Sequence, residues 1–332
     1  MSSVGHLDPG CVPAAQHMAA GEPSPPLPTT AISETLALRR LGPQRDILGE
    51  CPLWDDRRQC LWWVDIRAPA LRCLDLQALD DGPDAPTRHW PLPDMVGSIA
   101  LAEDGRLLLA LSTQLCVWNP EDGALQTLAR PDFTDPHHRF NDGRCDRQGR
   151  FWVGSMHNLT RAPEGRLFRW DPVAGLVEQA GGLCIPNSLA WSPDGRTMYF
   201  ADSLRHAIEA SDYDPDLGQP GRWRTLSRST PPGFPDGSAV DAQGYLWNAE
   251  FDGARLVRYA PDGRVDRVIR MPVRRPTCCA FGGQHFEHLF VTTASQRMTA
   301  EELAAEPLAG TLLLLDVGVR GLPEPRVRLT PR

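Results

Sequence analysis

The stretch GFPDGSAVDAQGYLWNAE, residues 233–250, carries two turn signals where one hairpin needs one. Pro235-Asp236-Gly237 is the first, because proline presets φ and glycine accepts φ > 0. Asp241-Ala242-Gln243-Gly244, ahead of the apolar run that follows, is the second. Only the second recurs at a regular interval along the chain, and that recurrence decides the fold.

The recurring unit is a turn followed by an apolar strand. Its copies are DDRRQCLWWVDI (55–66), AEDGRLLLALS (102–112), DRQGRFWVGSM (146–156), SPDGRTMYFADS (192–203), DAQGYLWNAEF (241–251) and FGGQHFEHLFVTTA (281–294). They start roughly 40–50 residues apart, the period of a four-stranded propeller blade. The first copy lacks glycine and the last is longer, so these two match less well. A short apolar segment precedes each copy: CPLW, SIAL, DGRC, SLAW, GSAV and TCCA. Inner strand, tight turn and second strand therefore repeat, with two outer strands from the sequence between copies, as in GARLVRYAPDGRVDRVIRMP (253–272). The expected fold is all-β, a six-bladed β-propeller. ISETLALRRL at the start and GTLLLLDV or RVRLTP at the end have no unit of their own and are expected to pair and close the ring. TAEELAAE (299–306) is the one convincing helical turn or two.

Counting back five residues from the start of each turn compares the blades at one structural position. Asp55, Asp146, Ser192 and Asp241 lead to Glu50, Asn141, Asn187 and Asp236. The second and sixth blades offer Gly97 and Pro276, which bring no ligand. This position is where each inner strand enters the central channel, so residues distant in sequence meet on one axis. Each blade already has its turn residues five positions later, so turn chemistry alone does not account for a second polar set in register. Converging carboxylate and amide oxygens suit a hard divalent cation: Ca²⁺, Mg²⁺ or Mn²⁺ first, with Zn²⁺ or Fe²⁺ also compatible.

Composition excludes several classes. The 332 residues are 41% hydrophobic and 23% charged, as in a soluble protein with a full core. A net charge of -8 argues against a nucleic-acid partner, and no stretch is long and apolar enough for a membrane span. Residues 1–35 are rich in Pro, Ala and Ser without the pattern of a secretory signal, which predicts a disordered tail, a single propeller domain over 36–332 and a cytoplasmic location. Nine cysteines without a C-x-x-C pair read as reduced core residues. No G-x-S-x-G elbow is present, so a serine nucleophile is not expected.

The motifs GECPLWD, RFNDGRCDRQGRFWVGSM, IPNSLAWSPDGRTMYFADS, FPDGSAVDAQGYLWNAEFDGARLVRYAPDG and CCAFGG resemble the SMP-30/gluconolactonase/LRE family, in order over about residues 40–325. WNAEFDGARLVRY and RMTAEELAAEPLAGTLLL look most like bacterial aldonolactonases. The resemblance implies metal-dependent hydrolysis of a sugar lactone to the open aldonic acid. It implies one divalent metal held by Glu50, Asn187 and Asp236, with Asn141 contacting substrate or a metal-bound water; a residue touching both metal and water suits a general base, and Asp236 is the candidate. It also implies Arg139 as a substrate-binding residue, which the register does not reach. Where some family members carry acidic residues that hold substrate hydroxyls, this chain has SMHNL, making His157 a candidate substrate contact and leaving sugar specificity open. The alternatives are a metal-dependent esterase or phosphotriesterase on the same scaffold, or a non-catalytic calcium-binding propeller. The expected partner is a small-molecule lactone, and the expected state a monomer or small homo-oligomer.

Overall fold

The computed structural model describes residues 32–331. Cys11 and most of the expected tail lie outside them. Ile32–Glu34 corrects the tail's expected boundary: it is a strand, paired in parallel with Val265–Arg270 along the outer edge of one sheet. Composition assigned it to the tail, but an open sheet edge supplies unpaired backbone partners, and Arg267 Nε donates to Glu34 Oε1.

Six antiparallel sheets follow one another around a ring, spanning 49–91, 96–129, 138–183, 186–228, 234–270 and 276–316. The inner strands are Gly49–Asp55, Val96–Leu101, His138–Cys145, Pro186–Trp191, Phe234–Val240 and Pro276–Gly282. Bulky aromatics wedge neighbouring blades apart. Trp62, Trp90 and Trp118 meet between blades 1 and 2 at 5.3–5.9 Å, and Trp152, Trp191 and Tyr213 between blades 3 and 4 at 5.8–6.2 Å. Trp54 stacks on Phe290 across the seam between blades 1 and 6, with ring centroids 5.7 Å apart.

The ring closes as expected. Leu38–Leu41 supplies the outer strand of blade 6, antiparallel to Leu312–Asp316 with Leu38 opposite Leu315 and Leu41 opposite Leu312. Of the two candidate closing segments, GTLLLLDV pairs and RVRLTP does not. The latter crosses the turn end of the ring: Val327 bridges Ala102, and Arg326 forms ion pairs with Asp55 and Asp56 at 2.7 and 2.6 Å. Arg144 and Glu324, 3.4 Å apart, lie at that same end. Ala300–Ala305 is helical with a capping box, Thr299 accepting from Glu302 N while the Glu302 carboxylate accepts from Thr299 N. A 3₁₀ segment at Leu76–Asp84 in blade 1 carried no expectation.

Every inner strand bulges by one residue near its start. In blades 1, 3, 4 and 5 the register slips between Glu50 and Leu53, Phe140 and Gly143, Asn187 and Ala190, and Pro235 and Ser238. Blades 2 and 6 slip at Val96/Ser98 and Pro276/Cys278. A bulge bends its strand and re-aims the side chains beside it. The six-fold repetition places one such re-aimed position per blade around the axis.

Candidate active site

Glu50, Asn141, Asn187 and Asp236 all line one cavity of about 190 Å³, open at the end of the channel opposite the C-terminal segment, and Arg139 lines it with them. Second-strand carboxylates steady the chain just before two of these residues. Asp65 accepts from Ile47 N and Leu48 N at 2.8 and 3.1 Å, ahead of Glu50. Asp202 accepts from Cys184 N and Ile185 N at 3.0 Å each, ahead of Asn187. Gly97, the equivalent in blade 2, has no room for a side chain: a Cβ there would lie 2.5 Å from Phe140 O.

The later residues of the register are the structural ones. Asp241 is fully buried; its Oδ1 accepts from Gln243 N and Tyr245 N, and its Oδ2 from Trp247 Nε1 and Arg258. Asp146 and Asp55 close their turns in the same way. Of the two signals in 233–250, Asp241–Gly244 is thus the turn, with Gly244 at φ 85°, and Asp236 faces the cavity.

A chain of hydrogen bonds fixes the floor. Arg139 Nη1 donates to Asn141 Oδ1 at 2.8 Å, Asn141 Nδ2 donates to Asn187 Oδ1 at 2.9 Å, and Asn187 Nδ2 donates to Ser203 Oγ at 2.8 Å. Ser203 Oγ donates in turn to Pro235 O at 2.7 Å, beside Asp236. Asn187 Oδ1 therefore has a fixed direction and one lone pair unused. Glu50 Oε2 accepts from Cys51 N at 3.0 Å.

Burial raises the proton affinity of Asp236 well above the usual carboxylate range, and the neighbouring Glu50 and Asp142 raise it further. Burial and Asp142 do the same to Glu50. Arg139 is pulled down to about 9, by burial first and by Arg67 second. Burial and mutual repulsion thus favour the neutral forms of these carboxylates unless a cation offsets their charge. With the free lone pair of Asn187, this all-oxygen donor set fits a hard divalent ion. Among the described residues, Cys60, Cys73 and Asp75 also converge within 4.8 Å. The Arg88 guanidinium already occupies that group, donating to Cys73 Sγ at 3.1 Å and Asp75 Oδ1 at 2.6 Å.

His157 does not join the site. It is buried, absent from the cavity wall, and its Nδ1 is taken by Thr160 N and Oγ1 at 3.1 and 2.9 Å. Asn158, the first residue beyond the strand Phe151–His157, lines the cavity instead. Asn158 Oδ1 accepts from Arg139 Nε at 2.9 Å and from Arg67 Nη2 at 3.0 Å. Arg67, Arg161, Arg275 and Arg297 on the wall carried no expectation from the sequence. Arg67, Arg161 and Arg297 sit on loops that leave second strands at the site end of the ring, at unequal distances from the turns, so no single count along the repeat reaches all three.

Residues 48–295 match the SMP-30/Gluconolactonase/LRE-like region. The chain belongs to that family. It is 37% identical to the 6-deoxy-6-sulfogluconolactonase of Pseudomonas putida over 285 residues, 85% of this chain and 95% of the relative. It is also 37% identical to the L-arabinolactonase of Azospirillum brasilense over 298 residues, 88% and 96% of the two chains. Among solved structures, the calcium-binding protein regucalcin of Agrobacterium tumefaciens superposes with a TM-score of 0.85 at 30% identity, covering 90% of this chain and all of the other.

Proposed function

We propose that this propeller hydrolyses a sugar lactone to its open aldonic acid at a divalent-cation site on the channel floor. The observation that carries the reading is the convergence of Glu50, Asn187 and Asp236 beside Arg139 and Asn141 in one cavity. Relatives named for lactone hydrolysis support lactonase chemistry, and the calcium-binding neighbour supports a divalent ion. Glu50, Asn187 and Asp236 hold the cation. When bound, it supplies Lewis acidity toward the lactone and offsets the negative charge of the floor.

The chain's own groups do the remainder. The Asp236 carboxylate accepts a proton from water as the water oxygen bonds to the lactone carbonyl carbon. The ring C–O bond then breaks, and the departing ring oxygen takes up that proton to become the free hydroxyl of the product. Arg139, aligned by its bonds to Asn141 and Asn158, donates to substrate oxygens, including the carbonyl oxygen as charge develops on it. Asn141 sets both Arg139 and Asn187. No helix among the described residues is long and apolar enough to cross a membrane. The cysteines from Cys51 to Cys279 are all free, which supports a reducing, cytoplasmic setting.

A panel of gluconolactone, arabinonolactone, xylonolactone and galactonolactone, run beside an aryl ester and a phosphotriester, tests this reading. Lactones turned over with higher kcat/KM than either ester sustain it. Preferential cleavage of the phosphotriester or aryl ester overturns it.

A further inference from the structure

The chain carries 42 acidic against 34 basic residues, yet its cavity reverses that balance. Five arginines and three carboxylates line the wall. Two of the carboxylates, Glu50 and Asp236, belong to the floor. The third, Asp252, is taken by Arg275 at 2.7 Å. That leaves Arg67, Arg161 and Arg297 at the mouth, none within ion-pair distance of a carboxylate among the described residues, although carboxylates are plentiful elsewhere.

These three come from blades 1, 3 and 6 and face one another across the opening. Burial first, then Arg297 and Arg161, lowers the proton affinity of Arg67, and burial and Arg297 lower that of Arg161 against a smaller opposing pull from Asp252. Arg161 and Arg297 also hold left-handed backbones, with φ of 56° and 58°. Non-glycine residues in that region carry strain that surrounding structure must over-determine. Asn158 Oδ1 steadies Arg67. Three mutually repelling guanidiniums, none in an ion pair among the described residues, gain little for folding. They gain most from a ligand that arrives with negative charge, since guanidinium binds oxyanions in paired hydrogen bonds.

We propose that the substrate is a lactone bearing an anionic group, a sulfonate, phosphate or carboxylate, at the end remote from its carbonyl, and that Arg67, Arg161 and Arg297 bind that group. The proposal rests on the lactonase reading for the reacting end and on the arginines for the other. The floor takes the lactone carbonyl while the mouth takes the charged tail. The mouth also steers the anion inward and makes capture sensitive to salt.

The test compares glucono-1,5-lactone with its 6-phosphate, its 6-deoxy-6-sulfonate and the lactone of a dicarboxylic sugar acid, on the wild-type protein and on an Arg161→Gln, Arg297→Gln double variant. Both side chains are exposed, so the variant folds. We expect at least one anionic lactone to exceed the neutral one by about 10-fold or more in kcat/KM, with KM rising with ionic strength. The double variant should lose about 10-fold more on that lactone than on the neutral one. The best of the three arms identifies the anion. Equal or better use of the neutral lactone, or a proportionate loss on both, overturns the proposal. If no lactone is hydrolysed, the lactonase reading fails and calorimetry decides the anion site alone. Tighter binding of gluconate 6-phosphate than of gluconate, lost in the double variant, sustains it; equal binding removes it.

Discussion

Asn141 Nδ2 donates to Asn187 Oδ1 over 2.9 Å, linking the inner strands of the adjacent blades 3 and 4. Only an amide at 141 can do this while accepting from Arg139 with its oxygen. Asn141→Ala should therefore lower kcat/KM by about 10- to 100-fold, the range for groups that orient a metal ligand. Asn141→Asp should weaken cation binding more than a change confined to substrate contact, because a carboxylate cannot donate to Asn187 Oδ1. Steady-state kinetics with calorimetric cation titration separates the two effects.

Asp236 and Asp241, five residues apart, should fail in opposite ways. Asp236→Asn removes the base and the negative charge of a ligand, so hydrolysis should fall by about 1000-fold or more with folding retained. Asp241→Asn strips Arg258 and Trp247 of a shared buried partner. It should cost about 3 kcal/mol of stability, lowering Tm by several degrees, while the protein that remains folded keeps most of its kcat. Thermal melts and kinetics on both variants check the division.

The floor carboxylates make the metal-free protein sensitive to pH. Glu50 and Asp236 bind protons more tightly folded than unfolded. Their protonated forms are thus compatible with the fold at low pH, and stability is lost as pH rises through the raised folded values. Metal-free protein should melt at a lower temperature at pH 8 than at pH 5.5. Added divalent cation should raise Tm more at pH 8, where protons no longer compete. Glu50→Gln should stabilise the metal-free protein at pH 8, by about 1–3 kcal/mol, while weakening cation affinity. A Tm of the metal-free protein that is flat or rising over this range contradicts the electrostatic account.

His157 is buried off the cavity wall, so we expect His157→Gln to change kcat/KM on a sugar lactone by less than about 3-fold and lower stability by about 1 kcal/mol, the worth of its bond to Thr160. A large rise in KM would return it to the substrate site.

What the sequence discloses follows from what repeats. The turns at Asp146, Ser192 and Asp241 recur with the blade, so counting back from them along the sequence alone reaches Asn141, Asn187 and Asp236. The shared bulge is the physical reason that the count works, and it is invisible in the sequence because one extra residue leaves the apolar pattern intact. The motif SMHNL draws attention to His157, whereas the residue on the cavity wall is Asn158, just past the strand's end, where the chain turns and no strand pattern tells which way a side chain points. Arg161 and Arg297 are hidden in the sequence because the loops that carry them differ in length from blade to blade. The pairing of Ile32–Glu34 is masked by the polar, proline-rich sequence before it.

The central claim is that hydrolysis depends on a cation held by Glu50, Asn187 and Asp236. The most direct measurement is lactone hydrolysis by metal-stripped protein, before and after adding back Ca²⁺, Mg²⁺, Mn²⁺, Zn²⁺ or Fe²⁺ in turn, with Asp236→Asn in parallel. The account predicts a loss of about 100-fold or more on stripping, full recovery with at least one ion, and no recovery in Asp236→Asn. A stripped protein, or an Asp236→Asn protein, that hydrolyses the lactone at the wild-type rate would contradict it.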